Sequence, residues 1–478
     1  MKVSEINEFI KGLDNNPSII GIKFDDGFLV WPRIRYRVFQ LLLENSFHQE
    51  FIEPVTESKK SEKSIPKILF KKLSLHYKLF SKKGNWKDKN YDGLCFNGSK
   101  IVRPEFDNKI IGKSNLIINK IPNIKILNIY NFDNSNHNET FYGNHAFIDN
   151  IIYQARIKAF FNKGFSQSEV DATSKLIECI KIEFSKNNLD NTVLETVNKE
   201  LLKYLHIHSH LRKIITRIFK KLQPKFIVAE DGNYGGGLSS LILFCANKLG
   251  IKTIELQHGV FDVAFDYGSL LLSDKQFKNQ KTDLLFTFGK YWSDWVNYPG
   301  KCYELGSIYL EESLSSIEEK EEHNSVLFIS QGDHTKKLIE VASELSKSLD
   351  KDFKIIYKLH PAEFKKAEAY TIAFANNKNI EIVGKANVYE YLKKATFVVG
   401  SFSTVLFEGL FLNKAPYIYR DIFSEYYIPE NIGFRFSTAT ELKSLMDNQK
   451  HVSQDLSIYW VKDWKKNLEE IGLKEKLW

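Results

Sequence analysis

Short apolar runs alternate with amphipathic segments from residue 225 onwards. Runs bounded by Gly, Pro or Asp have the length and composition of buried strands. They lie at 225–230, 253–257 and 284–288. Helical spacing of apolar residues follows at 237–249 and again from Tyr291. Because strands that alternate with helices form parallel sheets, this region predicts a doubly wound α/β unit.

The same alternation begins again after residue 324. Its predicted strands are 326–330, 354–359, 381–383, 397–399 and 416–419, and its predicted helices are 336–349, 388–394 and 404–412. A chain of 478 residues is too long for one hydrophobic core and long enough for two such units. The sequence therefore predicts two Rossmann-like domains.

The remaining segments are predicted to frame these domains. Residues 144–220 have largely helical spacing, and residues 24–43 are typical of a turn followed by a helix with Pro32 near its start. The acidic run 311–324 predicts a linker. We thus expect a first domain over 1–310, a second over 325–455, and a final helix over 456–478 that crosses back to the first domain.

Composition places the chain among ordinary globular proteins. It has 43% hydrophobic and 26% charged residues, and no apolar run approaches the ~20 residues of a membrane-spanning helix. The N-terminus lacks a basic stretch followed by an apolar run, so no signal peptide is expected. The four cysteines form no CxxC pair, which favours reduced structural thiols. These features predict a soluble, cytoplasmic protein.

The net charge of +8 is concentrated in one segment. Residues 59–89 contain eleven Lys against Glu62 and Asp88, a local charge of +9, which leaves the rest of the chain at −1. Apolar residues are interleaved with these lysines, and such a stretch can lie on anionic lipid headgroups. The alternatives are nucleic-acid binding and a solvated surface insert with one buried face. We expect no nucleic-acid partner and keep contact with the inner face of the membrane as the functional alternative.

Two motifs follow strands of the first predicted sheet, at the edge where open parallel sheets bind ligands. The carboxylates of Glu230 and Asp231 precede a glycine-rich stretch, where one of them could act as a general base. Asp231 could equally begin a turn while Glu230 pairs with a lysine. His258 leaves the next strand between Gln257 and Gly259, as a second base, a donor to an anion, or a structural histidine.

A third motif, Lys358-Leu359-His360-Pro361, ends a strand of the second sheet. Because side chains two positions apart on a strand share a face, Lys358 and His360 are expected together while Leu359 packs inward. Two donors on one face suit a phosphate group. The alternative is a solvent-facing pair on an edge strand.

A fourth motif runs from Gly400 to Thr404 into a helix. Hydroxyls and free N–H groups at a helix start can bind an anion, although Ser403 or Thr404 could simply cap the helix. Glu408, one turn further on, could accept hydrogen bonds from ribose hydroxyls. A weaker fifth candidate is the loop with Ser330 and Gln331, which precedes the first helix of the second domain.

These motifs, in this order, resemble those of the bacterial sialyltransferases and polysialyltransferases. Those enzymes have an acidic-acidic-Gly motif, then His-Pro, then a Ser-Ser or Ser-Thr pair, which match 230–232, 360–361 and 403–404 here. The chain is also similar to Kdo transferases and CDP-glycerol glycerophosphotransferases in 258–259, 358–361 and the Ser-Thr-x-x-x-Glu run that ends at Glu408. The resemblance covers roughly residues 225–420.

This resemblance implies a GT-B fold, in which an acceptor-binding domain and a nucleotide-sugar domain face each other across a cleft. Asp231 would be the base, with Glu230 the second choice. His360 would contact the donor phosphate, Ser403 and Thr404 would hold it, and Glu408 would bind the ribose. Ser401 stands before the pair with Phe402 between, which departs from the family pattern.

No Asp-x-Asp pair stands at a predicted strand end, so neither a metal nor a cofactor is expected. His360, Lys358 and helix dipoles would then meet the donor charge, which suits a CMP-linked sugar with one phosphate. The leading hypothesis is an inverting glycosyltransferase for capsule or lipooligosaccharide with a sialic-acid-like or Kdo-like donor. Alternatives are a CDP-glycerol-type glycerophosphotransferase, with His258 as base, a nucleotide-sugar epimerase, or a non-catalytic scaffold of polysaccharide assembly.

Overall fold

A computed structural model provides the coordinates of the protein. It describes residues 2–46, 90–97, 101–102, 109–112, 114, 118, 120–121, 123–131, 140–162, 165–230, 238–257, 259, 261, 275–296, 298–315, 317, 324–331, 335–350, 352–428, 432–448 and 456–477. The basic segment 59–89 lies outside these residues, as do Asp231 and His258.

The first domain is built on a sheet of seven parallel strands. In chain order its strands are β1 (Gly93–Asn97), β4 (Ile126–Tyr130), β5 (His145–Phe147), β6 (Phe226–Ala229), β7 (Lys252–Leu256), β8 (Leu284–Thr287) and β9 (Lys301–Glu304). They are arranged in the order β5-β4-β1-β6-β7-β8-β9. The chain therefore reverses direction across the sheet between β1 and β6. A separate antiparallel pair consists of β2 (Ile101–Val102) and β3 (Ile110–Ile111).

Helices surround this sheet because its central strands are apolar on both faces. All four residues of β6 are buried, as expected for a strand covered on both sides. The helices are α1 (Val3–Asp14), α2 (Pro17–Ile20), α3 (Trp31–Ser46), α4 (Ile148–Phe161), α5 (Gln167–Lys186), α6 (Thr192–Leu222), α7 (Ser239–Lys248), α8 (Lys290–Trp295) and α9 (Ile308–Ser315). Pro32 is the second residue of α3, where it removes no helical hydrogen bond.

The second domain has a sheet of six parallel strands in the order β12-β11-β10-β13-β14-β15. The strands are β10 (Ser325–Ile329), β11 (Lys354–Lys358), β12 (Ile380–Val383), β13 (Phe397–Gly400), β14 (Pro416–Tyr419) and β15 (Phe434–Phe436). The helices are α10 (Thr335–Ser348), α11 (Ala367–Ala373), α12 (Val388–Lys394), α13 (Thr404–Phe411), α14 (Ile422–Tyr427) and α15 (Ala439–Asp447). Here the direction reverses between β10 and β13.

The last helix, α16 (Trp464–Glu475), packs on the first domain. Its apolar residues Trp464 and Leu468 share a core with Phe226 and Leu284 of the first sheet. The Glu475 carboxylate accepts hydrogen bonds from the Lys301 ammonium, at 2.7 Å, and from the Tyr303 hydroxyl. The predicted return to the first domain is therefore confirmed.

The chain that precedes α16 packs between the two domains. The Trp460 ring stacks on Phe288 of the first domain, with ring centroids 4.5 Å apart, and its indole N–H donates to the carbonyl oxygen of Phe407 in α13, at 2.9 Å. A Cβ at Gly289 would lie 2.8 Å from the carbonyl oxygen of Ile458, so only glycine fits beside this crossing.

The architecture confirms the predicted α/β class, with two Rossmann-like domains that face each other as in GT-B. Residues 311–315, inside the predicted acidic linker, instead continue α9, because Leu310 and Leu314 bury the apolar side of that helix. No described helix combines the length and the apolar character that a bilayer crossing needs.

Candidate functional site

The two sheets present their carboxyl ends to the same interdomain region. Ligands of open parallel sheets bind outside the carboxyl ends of the strands, beside the point where strand order reverses. In the first sheet β1 and β6 end side by side at that point, where Glu230 donates its backbone N–H to the carbonyl oxygen of Phe96 at 3.0 Å. In the second sheet β10 and β13 end side by side, and a Cβ at Gly400 would lie 3.5 Å from the carbonyl oxygen of Ile329.

Gly259, after β7, lies close to the start of α13 across the domain boundary. A Cβ placed at Gly259 would lie 3.5 Å from the hydroxyl oxygen of Thr404. Gln257 holds this turn: its amide N–H donates to the carbonyl oxygen of Gly259 at 2.8 Å, and its amide oxygen accepts from the N–H of Phe288 at 2.7 Å. Residues of two predicted motifs, from different domains, therefore lie close together.

A narrow cavity lies at the domain boundary, next to Gln257 and Glu408. It is lined by Ser114, Leu256, Gln257, Phe286, Phe288 and residues 305–309 of the first domain, and by Tyr389 and Glu408 of the second. The Tyr389 hydroxyl donates to the Glu408 carboxylate at 3.1 Å, which orients that carboxylate. The cavity volume is about 80 Å³. Glu408 thus lines a cavity together with residues of the other domain.

The three hydroxyl side chains near the start of α13 differ in their hydrogen bonds and burial. Ser401 is fully buried and donates to the Asp421 carboxylate at 2.5 Å, so its hydroxyl joins β13 to α14. The Ser403 hydroxyl accepts the N–H of Val405 at 3.3 Å and caps the helix. Thr404 is half-buried at the domain contact. Ser401 is thus a structural residue, whereas Ser403 and Thr404 remain the candidate anion-binding pair.

A buried carboxylate that sequence reasoning missed organises the ends of β10 and β11. Glu363 is 2% exposed and accepts hydrogen bonds from the Ser330 hydroxyl at 2.6 Å and the His360 backbone N–H at 3.0 Å. The Tyr370 hydroxyl donates to its other oxygen. One carboxylate therefore fixes the turn that carries His360 and orients Ser330. The His360 side chain itself is exposed.

Lys358 occupies a different position from the one expected for a phosphate ligand. Its ammonium donates to the carbonyl oxygens of Leu359, at 3.2 Å, and Gly384, at 2.5 Å. The residue is 6% exposed, and burial lowers the pKa of the Lys358 ammonium. Leu359 is buried, as predicted. In this arrangement the Lys358 ammonium is hydrogen-bonded to two backbone carbonyl oxygens, one after β11 and one after β12.

We expect Lys358→Met to act on stability more than on anion binding. Methionine fills a similar volume but leaves two carbonyl oxygens without their charged donor, which costs about 1–3 kcal/mol. Urea unfolding should show that loss, while phosphate affinity of the folded variant changes less than threefold. A more than tenfold loss of affinity at unchanged stability would instead support the phosphate role.

Glu230 follows the last residue of β6 and is buried, with 6% of its surface exposed. Burial and the nearby Glu230 charge raise the pKa of the Cys95 thiol in β1, which places this carboxylate next to the neighbouring strand. Gly112 packs on Asn97 at the end of β1, where an added Cβ would overlap the Asn97 side chain. Gln331 is half-buried at the end of β10, and its amide oxygen has no hydrogen-bond partner among the described residues.

The structure thus brings part of the predicted set together. Gly259, Thr404 and Glu408 lie at the domain boundary, and Ser330 is joined to the His360 turn by Glu363. Sequence reasoning gave no role to Glu363, Tyr389 or Gln257. Glu363 stands three residues after His360, the spacing at which a carboxylate caps a short turn, and this was the available signal. Among the described residues no group of three His, Cys, Asp or Glu side chains is arranged to hold a metal ion.

No protein-family model matches the chain, and no curated protein matches it in sequence. Solved structures do align with most of it. The S. aureus MnaA–UDP co-structure has 11% identity and a TM-score of 0.46 over 81% of this chain and 98% of that chain. The Methanocaldococcus jannaschii UDP-GlcNAc 2-epimerase in complex with UDP-GlcNAc and UDP has 14% identity and a TM-score of 0.44 over 80% and 99%. The structure of Anabaena Alr3699/HepE in complex with UDP has 8% identity and a TM-score of 0.40 over 80% of this chain and 99% of that chain.

Likeness at this level assigns neither a family nor an activity to this chain. The resemblance to bacterial sialyltransferases and related polysaccharide enzymes therefore stays a prediction.

Proposed function

We propose that this protein transfers a sugar from a nucleotide-activated donor to a hydroxyl of a surface glycan or glycolipid. The observation that carries the proposal is the close approach of Gly259 to Thr404. It joins the carboxyl edges of two doubly wound sheets, each of which is a ligand-binding edge on its own. Residues from both domains also line the adjoining cavity. A reaction between two bound substrates needs this arrangement.

The second domain would bind the donor. Ser403 and Thr404 begin α13, whose free N–H groups and dipole favour a phosphate. Glu408, held by Tyr389, would accept hydrogen bonds from the ribose hydroxyls. Ser330 and Gln331 would contribute from the end of β10. His360 would contact the donor phosphate and stabilise the charge that develops on it as the nucleotide leaves.

The first domain would bind the acceptor and remove its proton. We assign Asp231 as the base, with Glu230 as the alternative. The acceptor hydroxyl would give its proton to the carboxylate while its oxygen bonds to the anomeric carbon. The bond from that carbon to the phosphate oxygen would break at the same time, and the nucleotide would leave with the electron pair. Such a direct displacement inverts the anomeric centre.

A CMP-linked donor with a sialic-acid-like or Kdo-like sugar fits this proposal. Such a leaving group carries one phosphate, and the candidate set supplies His360, two hydroxyls and a helix start to meet it. We propose capsule or lipooligosaccharide as the acceptor class. We also propose that residues 59–89 bring the enzyme to the inner face of the membrane, where a glycolipid acceptor would lie.

A nucleotide screen followed by a turnover assay tests the proposal. CMP should raise the melting temperature more than CDP, UDP or GDP at equal concentration, because only ligands that bind the folded state stabilise it. CMP-sialic acid or CMP-Kdo should then give a glycan product only when an acceptor is present. Turnover of CDP-glycerol would favour the glycerophosphotransferase, and a sugar product without acceptor would favour an epimerase. Failure of every nucleotide to stabilise the protein would contradict the proposal.

A further inference from the structure

Two fully exposed phenylalanines end α4. The Phe160 and Phe161 side chains are 85% and 76% exposed, and their rings meet edge to face with centroids 5.3 Å apart. Single exposed apolar residues are common, but two adjacent exposed Phe side chains form an apolar projection. Folding gains nothing from this exposure, so a contact outside the chain is its most direct explanation.

The apolar projection adjoins a basic face of α6. The carbonyl oxygen of Asn162, the residue after Phe161, accepts a hydrogen bond from His210 of α6 at 3.2 Å. Residues on one side of α6 recur at spacings of three and four, which places them in one stripe along the helix. This basic stripe consists of Lys203, His206, His210, Lys213, Arg217 and Lys220.

The stripe is exposed and carries no compensating acid of its own helix. Lys203, Lys213, Arg217 and Lys220 are all exposed, and the last three line a shallow depression. After Glu200 the sequence has no Asp or Glu until Glu230. The stripe from Lys203 to Lys220 is about 25 Å long at the rise of an α-helix.

We propose that Phe160, Phe161 and the basic stripe of α6 form a docking surface for an anionic lipid bilayer. Aromatic side chains beside a row of lysines fit the headgroup region, where the rings reach the acyl boundary and the cations meet anionic headgroups. A nucleic acid fits less well, because rings at an interplanar angle of 89° cannot both stack on successive bases. This surface is separate from residues 59–89 and does not depend on the proposed transferase activity.

Vesicle co-sedimentation of the full chain tests the proposal. Wild-type protein should bind vesicles of 70% phosphatidylcholine and 30% phosphatidylglycerol at least tenfold more tightly than pure phosphatidylcholine, and less tightly at high salt. F160S/F161S and K213E/R217E should each weaken this binding more than tenfold. I372S/L473S, which alters residues that are 72% and 75% exposed elsewhere, and K336E/K337E, on the exposed side of α10, should bind like wild type.

Thermal unfolding establishes that each variant is folded, and light scattering reports its oligomeric state. If wild type binds neither vesicle, no bilayer docks. If both surface variants bind like wild type, another segment such as 59–89 is responsible. If F160S/F161S dissociates a dimer without affecting vesicle binding, the surface holds a second copy of the chain. Each of these three results overturns the proposal.

Discussion

Asp231→Asn will reduce sugar transfer by about 10²–10⁴-fold, the range that a general base contributes. Asparagine keeps the size of the side chain and its capacity to accept one hydrogen bond, but it cannot take the proton of an acceptor hydroxyl. Nucleotide affinity should change little, because donor binding is assigned to the other domain. The measurement is initial rate against acceptor concentration, together with nucleotide titration.

Asp92→Asn provides the matched control for this variant. Asp92 precedes β1 and lies at the amino ends of the strands of the same sheet, whereas Asp231 follows the carboxyl end of β6. The Asp92 carboxylate accepts a hydrogen bond from the backbone N–H of Lys125 at 3.0 Å. Its loss should leave the rate at saturating substrate unchanged. Glu230→Gln separates the two adjacent acids. If that variant is inactive while Asp231→Asn turns over normally, Glu230 is the base; if both turn over normally, the base lies elsewhere.

Glu363→Ala should both destabilise the second domain and weaken donor binding. The substitution removes the acceptor of three donors, among them the Ser330 hydroxyl and the backbone N–H of His360. Buried donors without acceptors cost about 1–3 kcal/mol each, so a loss of about 3 kcal/mol or more in the free energy of unfolding is expected. If His360 contacts the donor phosphate as proposed, displacement of its turn should also lower nucleotide affinity more than tenfold.

Glu363→Gln and Glu368→Ala complete this experiment. Glutamine retains one carbonyl acceptor and should recover part of the stability and of the affinity. Glu368 is an exposed acid five residues further along and should be neutral. Urea unfolding and nucleotide titration of all three variants give the comparison. If Glu363→Ala loses stability but binds nucleotide like wild type, the carboxylate supports the fold alone and does not position His360 for the donor.

The alternation of apolar runs and helices predicted five of the six strands of the second sheet but only three of the seven strands of the first. It succeeded where parallel strands are buried on both faces and form continuous apolar runs. Phe397–Gly400 and Pro416–Tyr419 are of this kind. The strands Gly93–Asn97, Ile126–Tyr130 and His145–Phe147 were not predicted individually. They contain Asn97, Asn128 and His145, and only β1 pairs with β6, through residues more than 130 positions apart in sequence.

Hydrogen-bond partners in the site were the part that sequence could not supply. Ser401 and Ser403 are not distinguished by the sequence around them. In the structure, the Ser401 hydroxyl donates to the Asp421 carboxylate at the start of α14, whereas the Ser403 hydroxyl caps α13. The position of Lys358 in the sequence suits an anion-binding residue. In the structure, its ammonium instead donates hydrogen bonds to the carbonyl oxygens of Leu359 and Gly384. Glu363 has the composition of a surface residue and becomes a buried acceptor only because Ser330 and Tyr370 converge on it.

The narrow cavity at the domain boundary sets a condition on any turnover. Sites for small organic molecules typically occupy about 300–1,000 Å³, and this one measures about 80 Å³. If the protein binds a nucleotide sugar at this cavity, as proposed, the two domains must move apart near Gly259 and Thr404 before the donor enters. The conformation described here would then be a closed one, in which the stacked rings of Phe288 and Trp460 join the first domain to the returning chain.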